Sequence, residues 1–252
     1  MTFEVSGEAY DRFMGRYSRP LAARLAQWLE VADGQRAVDV GCGPGALTEQ
    51  LVRLLGAERV AAVDPSETFV AACRGRYPGV DVHRGAAESL PFADDTFDVA
   101  AACLVVHFMS DPVAGVAEMA RVTRRGGWVG TTVWDLAGSR APMWPLWAAL
   151  AEIQPEHPGE RDFAGGSEDG LVAILREAGL RHVESTAIEV TVAHPSFEEW
   201  WEPYLHGVGP VGEAIAALGP DGRGRLEEVL RRRLGDGPFD VTAVAYGARG
   251  RA

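Results

Sequence analysis

The residues best suited to chemistry begin with a glycine-rich run, VDVGCGPG, at 38–45. Glycines there let the backbone approach a ligand that a side chain would hold off. Asp64 follows 19 residues after Gly45, where a carboxylate can accept hydrogen bonds from ribose hydroxyls. Gly41, Gly43 and Ala46 also satisfy the dinucleotide pattern G-x-G-x-x-G/A, so the loop alone leaves more than one nucleotide class open. Asp39 lies two residues before Gly41. A pyrophosphate needs helix N-terminal N–H groups and no competing carboxylate. The same carboxylate suits a cation, such as an amino-acid ammonium or a sulfonium.

A second group lies further along the chain. His107, in LVVHFMSDP at 104–112, sits where a strand gives way to a helix, and a neutral imidazole there can take a proton or accept a hydrogen bond. His194, His206 and Glu202 are further polar candidates, each individually better read as structural or exposed. Cys42 lies inside the glycine loop without a histidine neighbour or other activating pattern, which argues against a catalytic thiol. Trp134, Trp144, Trp147, Trp200 and Trp201, with Met143, Phe163 and Tyr204, are candidates for a lid over a flat or apolar molecule. Core packing is the commoner role for any one of them. Trp200 and Trp201 are adjacent and cannot share one helix face, so one is expected to meet substrate, solvent or a partner.

These residues need a scaffold, and its rhythm is visible. From about 36 to 135 short apolar runs alternate with helix-like stretches, the mark of βαβ units and a parallel sheet. Strands are expected at 37–40, 59–63, 80–83, 98–106 and 128–134. One helix is expected to start at Pro44 and stop at Gly56. Another opens with Asp111 as N-cap and Pro112 behind it, and ends at Gly126-Gly127. Beyond 135 the pattern changes. A helix is expected at 168–178, a strand at 182–193, a helical insertion at 196–235 and a last strand at 239–247.

Composition narrows the classes. The 252 residues are 47% apolar, which excludes a disordered chain and supplies a core. No run reaches the roughly 18 apolar residues of a membrane span. The opening MTFEVSGEAYDRFMGR is too polar for a secretory signal, and three cysteines at 42, 73 and 103 show no metal spacing, so a reducing, cytoplasmic setting is expected. A formal net charge of -12 works against tight nucleic-acid binding. Arg231, Arg232 and Arg233 read as the solvated end of a helix.

Taken in order, VDVGCGPG, the acid at Asp64, GAAESLPF at 85–92 and DTFDVAAA at 95–102 resemble the successive motifs of class I S-adenosylmethionine-dependent methyltransferases. The pattern is most similar to the broad group around the ubiquinone/menaquinone-biosynthesis C-methyltransferases, over about residues 9–135. The resemblance implies an α/β, Rossmann-like seven-stranded sheet, mostly parallel, with an antiparallel last strand and helices on both faces. The expected layout is a single domain over 1–252. Cofactor-covering helices would occupy 1–35, the cofactor-binding core 36–135, and substrate-side insertions 136–181 and 194–238.

Carried over by position, Gly41, Gly43 and Gly45 approach the methionine part of the cofactor, with Asp39 near its ammonium and Cys42 filling space beside it. Asp64 holds the ribose hydroxyls and Pro65 packs beside the adenine. Ala86 and Ala87 meet the adenine edge, Ala87 through its backbone. The family's usual acid after the third strand is replaced by alanine at 86, so Glu88 either contacts the base or stays a solvated turn carboxylate. Leu104 lines the pocket. AYDRFMGRYS at 9–18 resembles the segment that closes over the cofactor, with Tyr10, Arg16 and Tyr17 as candidates and Arg16 best suited to fork onto a carboxylate.

The implied activity is methyl transfer from S-adenosylmethionine to a small molecule, leaving S-adenosylhomocysteine, with no metal. Such an in-line displacement needs an aligned nucleophile and exclusion of water, and an alcohol or phenol acceptor gains from a general base. His107 is the expected base or, equally in place, part of the pocket wall. The alternatives are a nicotinamide-dependent oxidoreductase on the same loop and a protein that binds the cofactor without turnover.

Overall fold

A computed structural model describes residues 7–252, so the first six residues of the expected N-terminal covering segment lie outside the described residues. Seven strands form one sheet: β1 Ala37–Val40, β2 Val60–Asp64, β3 Asp81–Arg84, β4 Phe97–Cys103, β5 Thr123–Trp134, β6 Arg181–His194 and β7 Phe239–Arg251. Their order across the sheet is β3-β2-β1-β4-β5-β7-β6. The first five run parallel, and β7 lies antiparallel between β5 and β6. This is the Rossmann-like arrangement that the sequence implied.

The helices are α1 Gly7–Tyr10, α2 Arg16–Trp28, α3 Ala46–Leu55, α4 Glu67–Arg76, α5 Pro112–Val122, α6 Trp144–Ile153, α7 Glu168–Glu177, α8 Phe197–Trp201, α9 Gly209–Ala217 and α10 Gly219–Leu234. A π-helical turn, Asp11–Gly15, joins α1 to α2. Both faces of the sheet are covered, so its central strands carry near-continuous apolar runs. β1 is buried at every position, and Asp39 is its one polar side chain. Asp39 pairs in register with Ala62 of β2 and Ala101 of β4, whose small side chains leave room for a carboxylate. Leu47, Leu51 and Leu55 recur at four-residue spacing on α3 and are buried, each worth about 1.5–3 kcal/mol.

Four boundaries differ from expectation for local reasons. α3 starts at Ala46 instead of Pro44, because Gly45 takes a left-handed conformation (φ 104°) that turns the chain into the helix. β4 ends at Cys103 instead of residue 106, because Leu104 is left-handed (φ 64°) and breaks the extended backbone. α6 occupies part of 136–170, where Pro145 sits in its first turn. α5 ends at Val122 instead of Gly126-Gly127, because Thr123 is already extended (φ −92°, ψ 130°) and begins β5. Its start follows the sequence, with Asp111 accepting the Ala114 N–H at 2.9 Å and Pro112 as first helical residue.

Candidate active site

The carboxyl ends of β1, β2 and β4 meet at a cleft. A cavity of about 110 Å³ there is lined by Gly41, Gly43, Asp64, Pro65 and Leu104, all expected from sequence, together with Tyr10. Ser66, Phe69, Cys103, Val105 and Phe108 complete it. Its polar anchor is Asp64, at the end of β2. One carboxylate oxygen accepts the Gly43 N–H and the other the Ser66 N–H, each at 2.8 Å. Burial raises its pKa, and these two backbone N–H groups oppose the rise. Gly43 is left-handed (φ 53°), and no atom lies within 4 Å of where its Cβ would be, so the loop faces open space at this point.

Asp39 sits beneath the loop and is buried. Its Oδ2 accepts the Thr48 hydroxyl at 2.6 Å, and the Thr48 backbone N–H also favours its ionised form. Oδ1 has no hydrogen-bond partner among the described residues. Burial pushes the carboxyl up to about 7. Because Thr48 is in the first turn of α3, a carboxylate occupies the place where a phosphate would use a helix N-terminus. The loop donors are committed as well. Gly41 and Cys42 donate to the Val63 carbonyl, Gly43 to Asp64, and Gly45 to the Cys42 carbonyl.

A smaller cavity of about 40 Å³ adjoins the first and shares Tyr10, Leu104 and Phe108 with it. Phe13, Met14, Leu136 and Met143 make it apolar, and His107, Trp134 and Glu160 add polar atoms. His107 lies on the helical turn Val106–Phe108 after β4. Its ring is half-buried, its Nδ1 is enclosed without a partner, and burial lowers its pKa to about 3, so the imidazole is neutral at physiological pH. Trp134 ends β5 and its enclosed Nε1, like His107 Nδ1, has no partner among the described residues. Beyond Glu160 and Leu136 opens a third cavity of about 240 Å³, walled by Trp144, Trp147, His157 and Arg161.

Several expected site residues lie elsewhere. Arg16 is ion-paired with Glu199 and donates to the Ala193 carbonyl at 3.0 Å, so its fork lies against β6 and α8 and not in the cavity wall. Tyr17 meets His194 Nε2 at 2.8 Å and also faces away from the cofactor cavity. Glu88 accepts the Ser110 and Asp111 N–H groups at 2.8 and 3.1 Å, tying the turn before α5. Ala86 is exposed and Ala87 is buried in the core; neither lines the cavity. Cys42 and Gly45 are buried behind the loop surface.

The expectation that Trp200 or Trp201 must face outward is corrected. Both are buried, at 1% and 5% exposure. α8 has only five residues and is enclosed on more than one side. Trp200 packs on Phe197, Tyr204 and Phe239, while Trp201 packs on Phe197. Tyr204 meets Phe13 edge-on at 5.2 Å and is likewise core. Of the other polar candidates, His194 is buried among Tyr17 and Glu199, and His206 pairs with Glu202 on the exposed side.

This chain matches a family model described as a methyltransferase domain over residues 38–130. It is 32% identical to the O-methyltransferase cnsE of Penicillium expansum over 86% of this chain and 73% of that protein. The chain belongs to the methyltransferase family. The chain is also 35% identical to a demethylmenaquinone methyltransferase of Chlorobaculum parvum, over 50% of this chain and 52% of that protein. It spans about half the length of the first curated relatives it matches. Among solved structures, a Haemonchus contortus phosphoethanolamine N-methyltransferase 2 shares the fold with a TM-score of 0.59 at 16% identity, covering 97% of this chain and 57% of that one.

Among the residues lining these two cavities, sequence reasoning missed Glu160, Phe69, Phe108, Phe13 and Met14. Phe13 and Met14 stand inside the segment singled out at 9–18, so their apolar type was the available signal. Glu160 lies in a polar loop, PGERDF, with no pattern to distinguish it from a solvated acid.

Proposed function

We propose that this chain transfers the methyl group of S-adenosylmethionine to a small, partly apolar molecule. The observation that carries the reading is Asp39 at the first turn of α3, beneath a loop whose own donors are already used. That arrangement repels a pyrophosphate and welcomes a cation, which speaks against the nicotinamide reading. The cofactor's donor set fits the residues present. Asp39, beneath the loop, keeps an oxygen with no partner among the described residues, and Asp64 keeps lone pairs at the cavity wall for vicinal hydroxyls. Pro65 and Phe69 supply apolar surface for a base.

When bound, the cofactor supplies an electrophilic methyl on a sulfonium. The chain's part is to position, desolvate and accept a proton. Tyr10, Leu104 and Phe108 stand between the two adjoining cavities, so they separate the cofactor from the acceptor and exclude water. The 110 Å³ cavity is smaller than the roughly 300–1,000 Å³ of pockets that enclose drug-sized ligands, so the segment bearing Tyr10 has to shift on binding. His107, held neutral by burial and so a weak base, hydrogen-bonds the acceptor.

Calorimetric titration with S-adenosylhomocysteine and with NADH tests the class: binding of the first and not the second is expected, and the reverse overturns it. Incorporation of labelled methyl into small molecules of a cell extract separates an enzyme from a cofactor-binding protein without turnover.

A further inference from the structure

Glu160 is 5% exposed yet belongs to no sequence motif. Its Oε2 accepts the Trp147 indole N–H at 2.6 Å, and its Oε1 has no hydrogen-bond partner among the described residues. It stands in the wall shared by the 40 Å³ and 240 Å³ cavities. The inner of these is also lined by Trp134 and His107, whose enclosed Nε1 and Nδ1 have no hydrogen-bond partner among the described residues. A pocket of Phe13, Met14, Leu136 and Met143 therefore contains one fixed donor, one acceptor carboxylate and one imidazole that can act as either. Unpaired polar atoms in an apolar cavity are costly unless a ligand completes them.

The chemistry of the missing group follows from that set. An ammonium has no lone pair for the Trp134 N–H. An ether has no proton for Glu160. A hydroxyl satisfies both at once, donating to the carboxylate and accepting from the indole. We infer that the inner cavity holds a hydroxyl of the methyl acceptor between Glu160 and Trp134, with the remaining apolar body lying toward Trp144 and Trp147 in the outer cavity.

This inference rests on the methyltransferase reading and adds the acceptor atom to it. The inner cavity is the one that adjoins the cofactor cleft, so the hydroxyl held there is the group methylated. The hydroxyl proton passes to the Glu160 carboxylate while its oxygen forms the new bond to the methyl carbon. The carbon–sulfur bond breaks, and sulfur keeps that electron pair as the neutral thioether of S-adenosylhomocysteine. The product is a methyl ether. Burial raises the pKa of Glu160, which makes the carboxylate a better proton acceptor than an exposed one.

The test uses the full chain saturated with S-adenosylhomocysteine and three probes of one shape: naphthol, methoxynaphthalene and protonated (aminomethyl)naphthalene, followed by tryptophan fluorescence. The wild-type protein is expected to bind naphthol about tenfold tighter than either of the others. Glu160→Gln, and separately Trp134→Phe, are expected to bring the three affinities within about twofold, with S-adenosylhomocysteine affinity unchanged by calorimetry. Equal binding of the probes to wild type, preference for the amine, or no binding of naphthol overturns the inference while leaving the cofactor reading intact. Failure of wild type to bind S-adenosylhomocysteine instead removes the methyltransferase reading beneath it.

Discussion

Asp64 accepts two backbone N–H groups at 2.8 Å each, whereas Glu160 accepts one indole N–H and the His107 Nδ1 and Trp134 Nε1 beside it have no partner. On the cofactor side, Ser66 and Thr48 lie within ten residues of the acids they serve. On the acceptor side, residues 10–14, 104–108, 134–143 and 160 converge from separate elements. The contrast teaches how each region is specialised. The proposed cofactor side is a loop whose donors are spent on its own neighbours, with Asp39 Oδ1 left without a partner among the described residues. The proposed acceptor side instead leaves several polar atoms without partners among the described residues in an apolar wall.

The largest effect is expected at Trp200. If the acceptor-side aromatics are packed core, Trp200→Ala lowers unfolding free energy by about 3–5 kcal/mol in urea titrations. A change within about 0.5 kcal/mol would return Trp200 to a ligand-facing role and blur the contrast. Next comes Asp64→Ala, expected to weaken S-adenosylhomocysteine binding by about 1–3 kcal/mol in calorimetry, since it removes a charged acceptor and frees two loop N–H groups. Retained affinity would move the cofactor away from β2.

The two sides also titrate in opposite directions. Asp39 has its folded pKa raised from 3.8 to about 7, so the folded state holds a proton that the unfolded chain gives up. That contribution is complete below 3.8 and is lost as pH rises through about 7. His107 has its folded value lowered from 6.5 to about 3, so its contribution is present above 6.5 and is lost as pH falls through about 3. Urea midpoints across pH are expected to lose the first slope in Asp39→Asn and the second in His107→Leu. A variant that keeps its wild-type slope shows that its residue does not titrate as placed. The smallest effect belongs to Arg16→Gln. Its half-exposed pair with Glu199 is worth no more than about 1 kcal/mol, and cofactor affinity is expected to hold. A tenfold loss of affinity would bring Arg16 back to the cofactor.

Legibility followed the range of the interactions. The loop at 41–45, Asp39, Asp64 and the Asp111 cap act through partners near in sequence, and their spacing exposes them. Arg16 misled because a forked cation on a covering segment suits a carboxylate of any origin, and only packing shows that Glu199 takes it. Trp200 and Trp201 misled because helix periodicity assumes one buried face, while a five-residue helix can be enclosed all round. Glu160 was invisible because a loop acid buries itself only when a distant indole and a cavity wall are brought to it.

The sequence by itself determined the α/β class, the run of parallel strands, the helix caps and the glycine loop with its two acids. These depend on local propensity, periodicity and short-range hydrogen bonds, which the order of residues encodes directly. The tertiary structure decided which arginine, tryptophans and carboxylate face a cavity. Exposure and unpaired polar atoms at Glu160, Trp134 and His107 are properties of surfaces assembled from segments up to about 200 residues apart, and each segment alone leaves them unspecified.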